Sequence, residues 1–335
     1  MINTVRKRHH HCACRGFSRT SWLVLFLILI ACTAVSGGCD HPRYAVSEEF
    51  VPVLNTADFR SVFGGIDGTS LALDSCGQNR ALEFIALPGT PFSIESIIND
   101  FAFPVYRVTT ADYPYPSASG YYIDSRMVRT TDSLPPPRTR TLPDPETILA
   151  RLVSAVGTHY QWGSNRRQGI PEMTSLYPPA ADRQTDIALR HSWTLQGLDC
   201  SGLLYEATDG WTPRNTSTLV RYGSPVAIAG LDAERIVQRT APLDLIVWKG
   251  HVMIILDPDR LIESRLDCQG TGGGVQVRNL KQALRHLLAS RMPLDAYNED
   301  GTENSKGFVI RRWHPKVAFG DGETGRKTGA GRPKD

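Results

Sequence analysis

Nowhere in the 335 residues is there an apolar run long enough to cross a bilayer comfortably. The run Leu23–Val35 is uncharged but only thirteen residues long, where a span needs about 20. An excess of one charge is also missing. Lys and Arg number 37 against 34 Asp and Glu, a formal +3. Five of the basic residues, Arg6, Lys7, Arg8, Arg15 and Arg19, lie before that run with no acid among them, so the remaining chain is about −2. That balance excludes a nucleic-acid partner read from charge. There is no internal repeat. No spacing of Cys and His fits a zinc finger or a His-Glu-x-x-His helix, so neither metal nor cofactor is expected. Cysteine is sparse as well: past the first 38 residues only Cys39, Cys76, Cys200 and Cys268 remain.

The N-terminus nevertheless says where the protein works. A basic segment, a short apolar run and then small residues describe a secretory signal, and residues 1–38 are read as one. The stretch VSGGC, Val35–Cys39, resembles the small-residue box ahead of the lipidated cysteine of bacterial lipoproteins. Cys39 is then the lipidation site, and the mature chain of 297 residues sits in the cell envelope, held to a membrane by its lipid. An uncleaved N-terminal anchor is the alternative. In an oxidising compartment Cys76, Cys200 and Cys268 are an odd number. A pair between Cys76 and Cys268 leaves Cys200 free, although sequence does not fix connectivity.

Residues 39–132 are punctuated by turn residues. The aromatic and β-branched stretch Phe101–Val128 reads as short strands in a small barrel or sandwich. Residues 133–145 include SLPPPRTRTLPDP, an extended proline-rich linker. Beyond it, residues 146–316 form a second domain, and the glycine-rich tail 317–335 reads as disordered. Asp144 and Pro145 are suited to open a helix that carries Ile148, Leu149, Leu152, Val153 and Val156 on one face and stops at Gly157. From there to about Leu195 the sequence is polar, with few helix or strand signals, and reads as a surface insertion or groove-lining loop.

Chemistry concentrates in GLDCSGLLYEATDG, Gly197–Gly210. Asp199 is a candidate N-cap, which puts Cys200 in the first turn of a helix. There, unpaired backbone N–H groups and the helix dipole stabilise a thiolate. Ser201-Gly202 allows close backbone packing. A buried structural cysteine is the alternative. A nucleophilic thiol needs a base, and of the six histidines past residue 38, His251 stands apart. It opens the strand HVMIIL directly after DLIVWKG, at an exposed strand start. A strand-end histidine without a task is the alternative. The following turn and LIESR make a hairpin. A three-residue loop, Asp257–Asp259, sets Met253 opposite Glu263 and makes Glu263 a same-face diagonal neighbour of His251; a two-residue loop turns it away. These residues alone leave both registers open; the family resemblance carried by the motifs below favours the first.

The C-terminal half resembles the NlpC-type cell-wall cysteine peptidases. The resemblance is carried by YQWG (Tyr160–Gly163), LDCSGLLY (Leu198–Tyr205), PRNTSTLVRYG (Pro213–Gly223) and APLDLIVWKGHVMIIL (Ala241–Leu256), in the family's order over about residues 145–270. It implies an α+β chain: a papain-like catalytic domain preceded by a small β-rich, SH3-like barrel. Cys200 becomes nucleophile, His251 base and Glu263 its orienting partner. Tyr160, Asp199 and Ser201 become substrate-binding residues, Asp199 holding a substrate amine. The implied activity is hydrolysis of peptidoglycan stem peptides between γ-D-glutamate and a diamino acid, by a monomer. Ser164 and Leu243 stand where the family usually carries glycine. Two other classes remain open: a non-catalytic wall-binding lipoprotein on a degenerate peptidase fold, and an acyltransferase or other amidase on the same fold.

Overall fold

Alternating apolar positions in the first third of the chain build a seven-stranded sheet. Its strands lie in the spatial order Leu82–Ala86, Val51–Leu54, Tyr121–Asp124, Val105–Thr109, Pro91–Ile98, Tyr44–Ser47 and Val128–Thr131. Every neighbouring pair is antiparallel. One core cluster of this region gathers Ala45, Val51, Val53, Phe84, Phe92, Val108, Tyr121 and Ile123. The structure is a computed structural model and describes residues 41–65, 67–181, 187–269, 272–297 and 306–314. The leader, Cys39 and the tail 317–335 lie outside the described residues. Among the described residues no helix is long and apolar enough to cross a membrane.

The other large sheet runs in the order Ser224–Val226, Gly307–Arg312, Leu245–Trp248, His251–Ile255, Arg260–Arg265 and Gly274–Asn279. The short strand Met292–Pro293 adds in parallel to Gly307–Arg312. Because both faces of the central strands are covered, Leu245–Val247 and Val252–Ile255 read as continuous apolar runs rather than alternating ones. On one face Leu245, Val247, Val252 and Ile254 pack with Leu203, Leu204 and Ala207 of the helix Cys200–Ala207, and with Ile148 and Leu152 of the helix Pro145–Ser154. On the other face Ile246, Met253 and Ile255 meet Leu280, Ala283, Leu284 and Leu287 of the helix Leu280–Leu288. The chain is thus of mixed α and β structure.

The helix expected after the linker begins as its sequence dictates. The Asp144 carboxylate accepts from the Thr147 backbone N–H at 2.8 Å, with Pro145 at the first position. It ends earlier than expected: Val153 and Val156 are about half exposed, so only Ile148 and Leu152 are fully committed to the core. Segment 133–145 is pinned rather than free. Arg138 donates to Asp112 at 3.1 Å and to the carbonyls of Asp209 and Gly210.

The stretch from Gly163 to Leu195, expected as a surface insertion or a groove-lining loop, carries buried anchors that a surface insertion would lack. Ile170, Met173, Trp193 and Leu195 are buried with Leu54, Phe59, Val62, Phe63 and Ile85 of the first sheet region. Trp193 donates its indole N–H to the Tyr177 carbonyl at 2.7 Å. Polarity hid this because the apolar anchors are single and widely spaced, with no helical or strand period. Cys76 and Cys268 form a disulfide across a sequence separation of 192, which ties the loop after Leu71 to the end of the strand Arg260–Arg265. Cys200 is the free cysteine among the described residues.

Candidate active site

The cysteine helix starts where Asp199 caps it. Oδ1 of Asp199 accepts from the Gly202 backbone N–H at 2.6 Å and from the Ser201 hydroxyl at 3.2 Å. Gly202 is required at this point because a Cβ there would stand 2.1 Å from the Ser164 carbonyl oxygen. Cys200 follows in the first turn, 7% exposed, with its thiol 4.0 Å from the Gly250 carbonyl oxygen.

His251 opens its strand beside the thiol, and its partner is two strands' register away as the hairpin dictates. Ile255 pairs with Leu261 and Ile254 with Ile262, which carries Met253 opposite Glu263 and makes Glu263 the diagonal neighbour of His251. Nε2 of His251 lies 2.6 Å from Oε2 of Glu263. Nδ1 is thereby left for Cys200. Burial disfavours a charged imidazole, but hydrogen bonds to Cys200 and Glu263 and their negative charge outweigh it and raise the His251 pKa to about 9. Glu263 is 2% exposed. Burial pushes its pKa up, yet His251 and Arg278 together hold it below the ordinary glutamate value.

Three residues that the sequence did not single out complete the frame. Arg278, on the neighbouring strand, donates from Nη1 to Oε1 of Glu263 at 2.6 Å. It stands opposite Leu261 and so reaches Glu263 diagonally, as the alternation in VQVRN allows. Arg214, 4% exposed, holds Asp199 in a fork: Nη1 to Oδ1 at 2.9 Å and Nη2 to Oδ2 at 2.6 Å. It also donates to the Ser201 hydroxyl at 2.9 Å and to Asn165 at 3.1 Å. Asn165 in turn bonds both backbone groups of Ile85, so its side chain joins the first sheet to the cysteine helix.

The structure therefore brings Cys200, His251 and Glu263 together. It places Tyr160 near them: burial raises the Tyr160 pKa, and the charges of Asp199 and Cys200 raise it further. Asp199 and Ser201, expected to bind substrate, take part in bonds within the protein. Both are buried, and their polar atoms are spent on the helix cap and on Arg214, because an isolated carboxylate this deep needs a countercharge. Ser164, in its glycine position, is buried, and its hydroxyl lies 2.8 Å from the carbonyl oxygens of both Leu195 and Gly197, which share its one proton. Leu243 holds φ at +68°, the left-handed region that explains why glycine suits this position. Among the described residues no cluster of three or more His, Cys, Asp and Glu is arranged to hold a metal ion. A cavity of about 830 Å³ lined by Phe59, Phe103, Asp124, Arg126 and Tyr177 shares no lining residue with this site.

No family model matches the chain, and no curated protein matches it. Among solved structures it is similar to an NlpC/P60 family protein from Bacillus cereus at 14% identity and a TM-score of 0.30, covering 82% of this chain and 64% of that one. The chain thus spans less than two thirds of that relative's length. It is also similar to RipD from Mycobacterium tuberculosis, described as a non-catalytic NlpC/p60 domain protein adapted to peptidoglycan binding. There the identity is 17% and the TM-score 0.28, over 50% of this chain and 95% of that one. For NlpC1 from Trichomonas vaginalis the identity is 12% and the TM-score 0.29, over 82% and 69%. Likeness at this level is one of coarse outline.

Proposed function

We propose that the chain is a cysteine peptidase of the NlpC type that hydrolyses peptidoglycan stem peptides at the bond between γ-D-glutamate and a diamino acid. The observation that carries this reading is the Cys200–His251–Glu263 line. It has a free thiol at a helix start, an imidazole beside it, and a buried carboxylate 2.6 Å from the far imidazole nitrogen. A buried carboxylate that favours a charged imidazole beside a thiol supports the catalytic reading over the wall-binding one.

In the proposed reaction the Cys200 thiolate attacks the amide carbonyl while His251 stands as imidazolium. The oxyanion is met by the Cys200 backbone N–H, which the helix start leaves without an intrahelical partner. The Tyr160 hydroxyl is our choice for the second donor. The tetrahedral intermediate collapses as Nδ1 of His251 protonates the leaving amine, giving a thioester and neutral imidazole. Water, deprotonated by His251, then attacks the thioester. The acid leaves, and the thiolate–imidazolium pair is restored. Glu263 holds the ring and Arg278 holds Glu263.

The remaining parts of the reading are proposals of the same standing: residues 1–38 a signal peptide, Cys39 lipidated, residues 39–132 an SH3-like region, 133–145 a linker, 146–316 the catalytic domain, and a monomer held to a membrane in the cell envelope. The test incubates the chain from residue 41, and its Cys200→Ala variant, with purified stem peptides and reads products by mass spectrometry. A cut after γ-D-glutamate that vanishes in the variant supports the proposal. Binding without cleavage by the folded wild-type chain replaces it with the wall-binding reading, and a transferred acyl product replaces it with the acyltransferase.

A further inference from the structure

The mechanism uses none of the residues between the first sheet and the cleft, yet one of them is built as a receptor. The loop that carries Asp74 to Arg80 is a tight frame. Oδ1 of Asp74 accepts from the backbone N–H groups of Cys76 and Gln78 at 2.8 and 2.9 Å, and Oδ2 accepts from Nε of Arg80 at 2.6 Å. Two ties fix the frame against the site. The Cys76–Cys268 disulfide joins it to the end of the strand that bears Glu263. Oε1 of Gln78 accepts from the Trp162 backbone N–H at 2.8 Å, two residues past Tyr160. The Arg80 guanidinium then lies over the Trp162 ring, 4.2 Å from its centroid, and its charge acts on the Tyr160 hydroxyl, which also feels Cys200.

Nε is the nitrogen of Arg80 that this frame consumes. Among the described residues the two terminal nitrogens have no hydrogen-bond partner, and the side chain is 39% exposed. The Arg80 charge is paired with Asp74, as Asp199 is with Arg214 and Glu263 with His251 and Arg278, so what Arg80 offers a ligand is its two terminal nitrogens as donors. A guanidinium held at Nε and along one face, with its two parallel N–H groups open, is the geometry that takes a carboxylate bidentately.

We infer that Arg80 forms a carboxylate-binding subsite of the cleft, with Trp162 as its floor, and that it reads the free α-carboxylate of a γ-linked acidic residue on the acyl side of the scissile bond. The inference rests on the peptidase reading for the location of that bond. A γ-amide leaves its α-carboxylate on a short flexible arm beside the reacting carbonyl. Recognition of that carboxylate selects γ-linkage, because an α-linked glutamate presents its carboxylate from a different atom. Trp162, 40% exposed, supplies the apolar surface against which the arm's methylenes lie.

The test separates binding from chemistry. The full chain carrying Cys200→Ala, in mild detergent, is titrated by calorimetry with two peptides, L-alanyl-γ-D-glutamyl-L-lysine amide and its counterpart with the glutamate α-carboxylate converted to carboxamide. The same pair is made with meso-diaminopimelate in place of lysine. The carboxylate peptide should bind about tenfold tighter, a modest ratio because the guanidinium is partly solvated. The double variant Cys200→Ala/Arg80→Met, which keeps a stem over Trp162, should lose that ratio by weakening the carboxylate peptide alone. Equal affinity for the two peptides, a ratio that survives Arg80→Met, equal weakening of both, or no binding of either overturns the inference. Cleavage by the wild-type chain is scored on the same peptides. Cleavage without a carboxylate preference in binding sinks the subsite and leaves the peptidase; a preference without cleavage sinks the peptidase and leaves the subsite.

Discussion

Replacing Glu263 with Gln keeps the shape of the His251 partner and removes its charge. In the native chain the rise of His251 from an ordinary 6.5 to about 9 favours imidazolium by ~3 kcal/mol, at about 1.4 kcal/mol per tenfold. Burial works against the charged ring, so Cys200 and Glu263 supply that preference together. A hydrogen bond to a charged group contributes ~1.5–3 kcal/mol, and Glu263 adds its full charge at 2.6 Å. Glu263→Gln should therefore lower the His251 pKa by at least about one pH unit. The assay is an NMR titration of histidine-labelled protein, with the His251 ring signal assigned through a His251→Gln variant and followed from acid to alkaline pH. In turnover the same shift appears as the alkaline limb of kcat/KM moving to lower pH, since neutral His251 cannot protonate the leaving amine. A group whose folded pKa is raised contributes fully below 6.5, and that contribution is lost as pH rises through about 9. The wild-type midpoint of denaturation should fall over that window, and the variant's should fall less. A His251 that titrates at the same pH in both proteins, or near 6.5 in the wild type, refutes the coupling.

Three further outcomes follow from the frame around the site. Arg214→Met leaves the Asp199 carboxylate buried without its countercharge and should cost ~3–5 kcal/mol in urea denaturation, part of it recovered by adding Asp199→Asn; a loss under ~1 kcal/mol contradicts the pairing. Cys76→Ser with Cys268→Ser opens a link across 192 residues, for which the chain-entropy account gives a loss of ~5 kcal/mol, and reductant should reproduce it in the wild type; an unmoved guanidinium midpoint refutes it. Leu243→Gly relieves a left-handed φ that costs ~1–2 kcal/mol but empties a fully buried site in the cluster that holds the cysteine helix. Loss of a buried leucine costs ~2–5 kcal/mol, so the variant should be less stable by calorimetry, and a gain in stability would mean that strain dominates.

What the sequence made legible was local. The Asp144 cap and the Asp199 cap each lie within three residues of the N–H they satisfy. The histidine hairpin could be read as a hairpin from its alternation and turn, with its register hanging on whether the loop holds two residues or three. That arithmetic left two registers for Glu263, and the family resemblance, not the spacing, selected the one in which Ile254 pairs with Ile262. Arg214, Asn165 and Arg278 were not legible because nothing in their own segments needs them. Arg214 is explained by a carboxylate 15 residues away, and Asn165 by a strand edge 80 residues away. Both are required only once Asp199 is buried, and burial is a property of the assembled fold. The surroundings of Asp199 and Ser201 were hidden for the same reason. A carboxylate beside a nucleophile invites a substrate role when its surroundings are unknown. In the fold, however, that carboxylate already has a helix N–H and a buried guanidinium to answer. The donors that the further inference assigns to a ligand are the terminal nitrogens of Arg80, a residue that the sequence places 120 positions from the thiol and that a disulfide and one glutamine side chain hold in place.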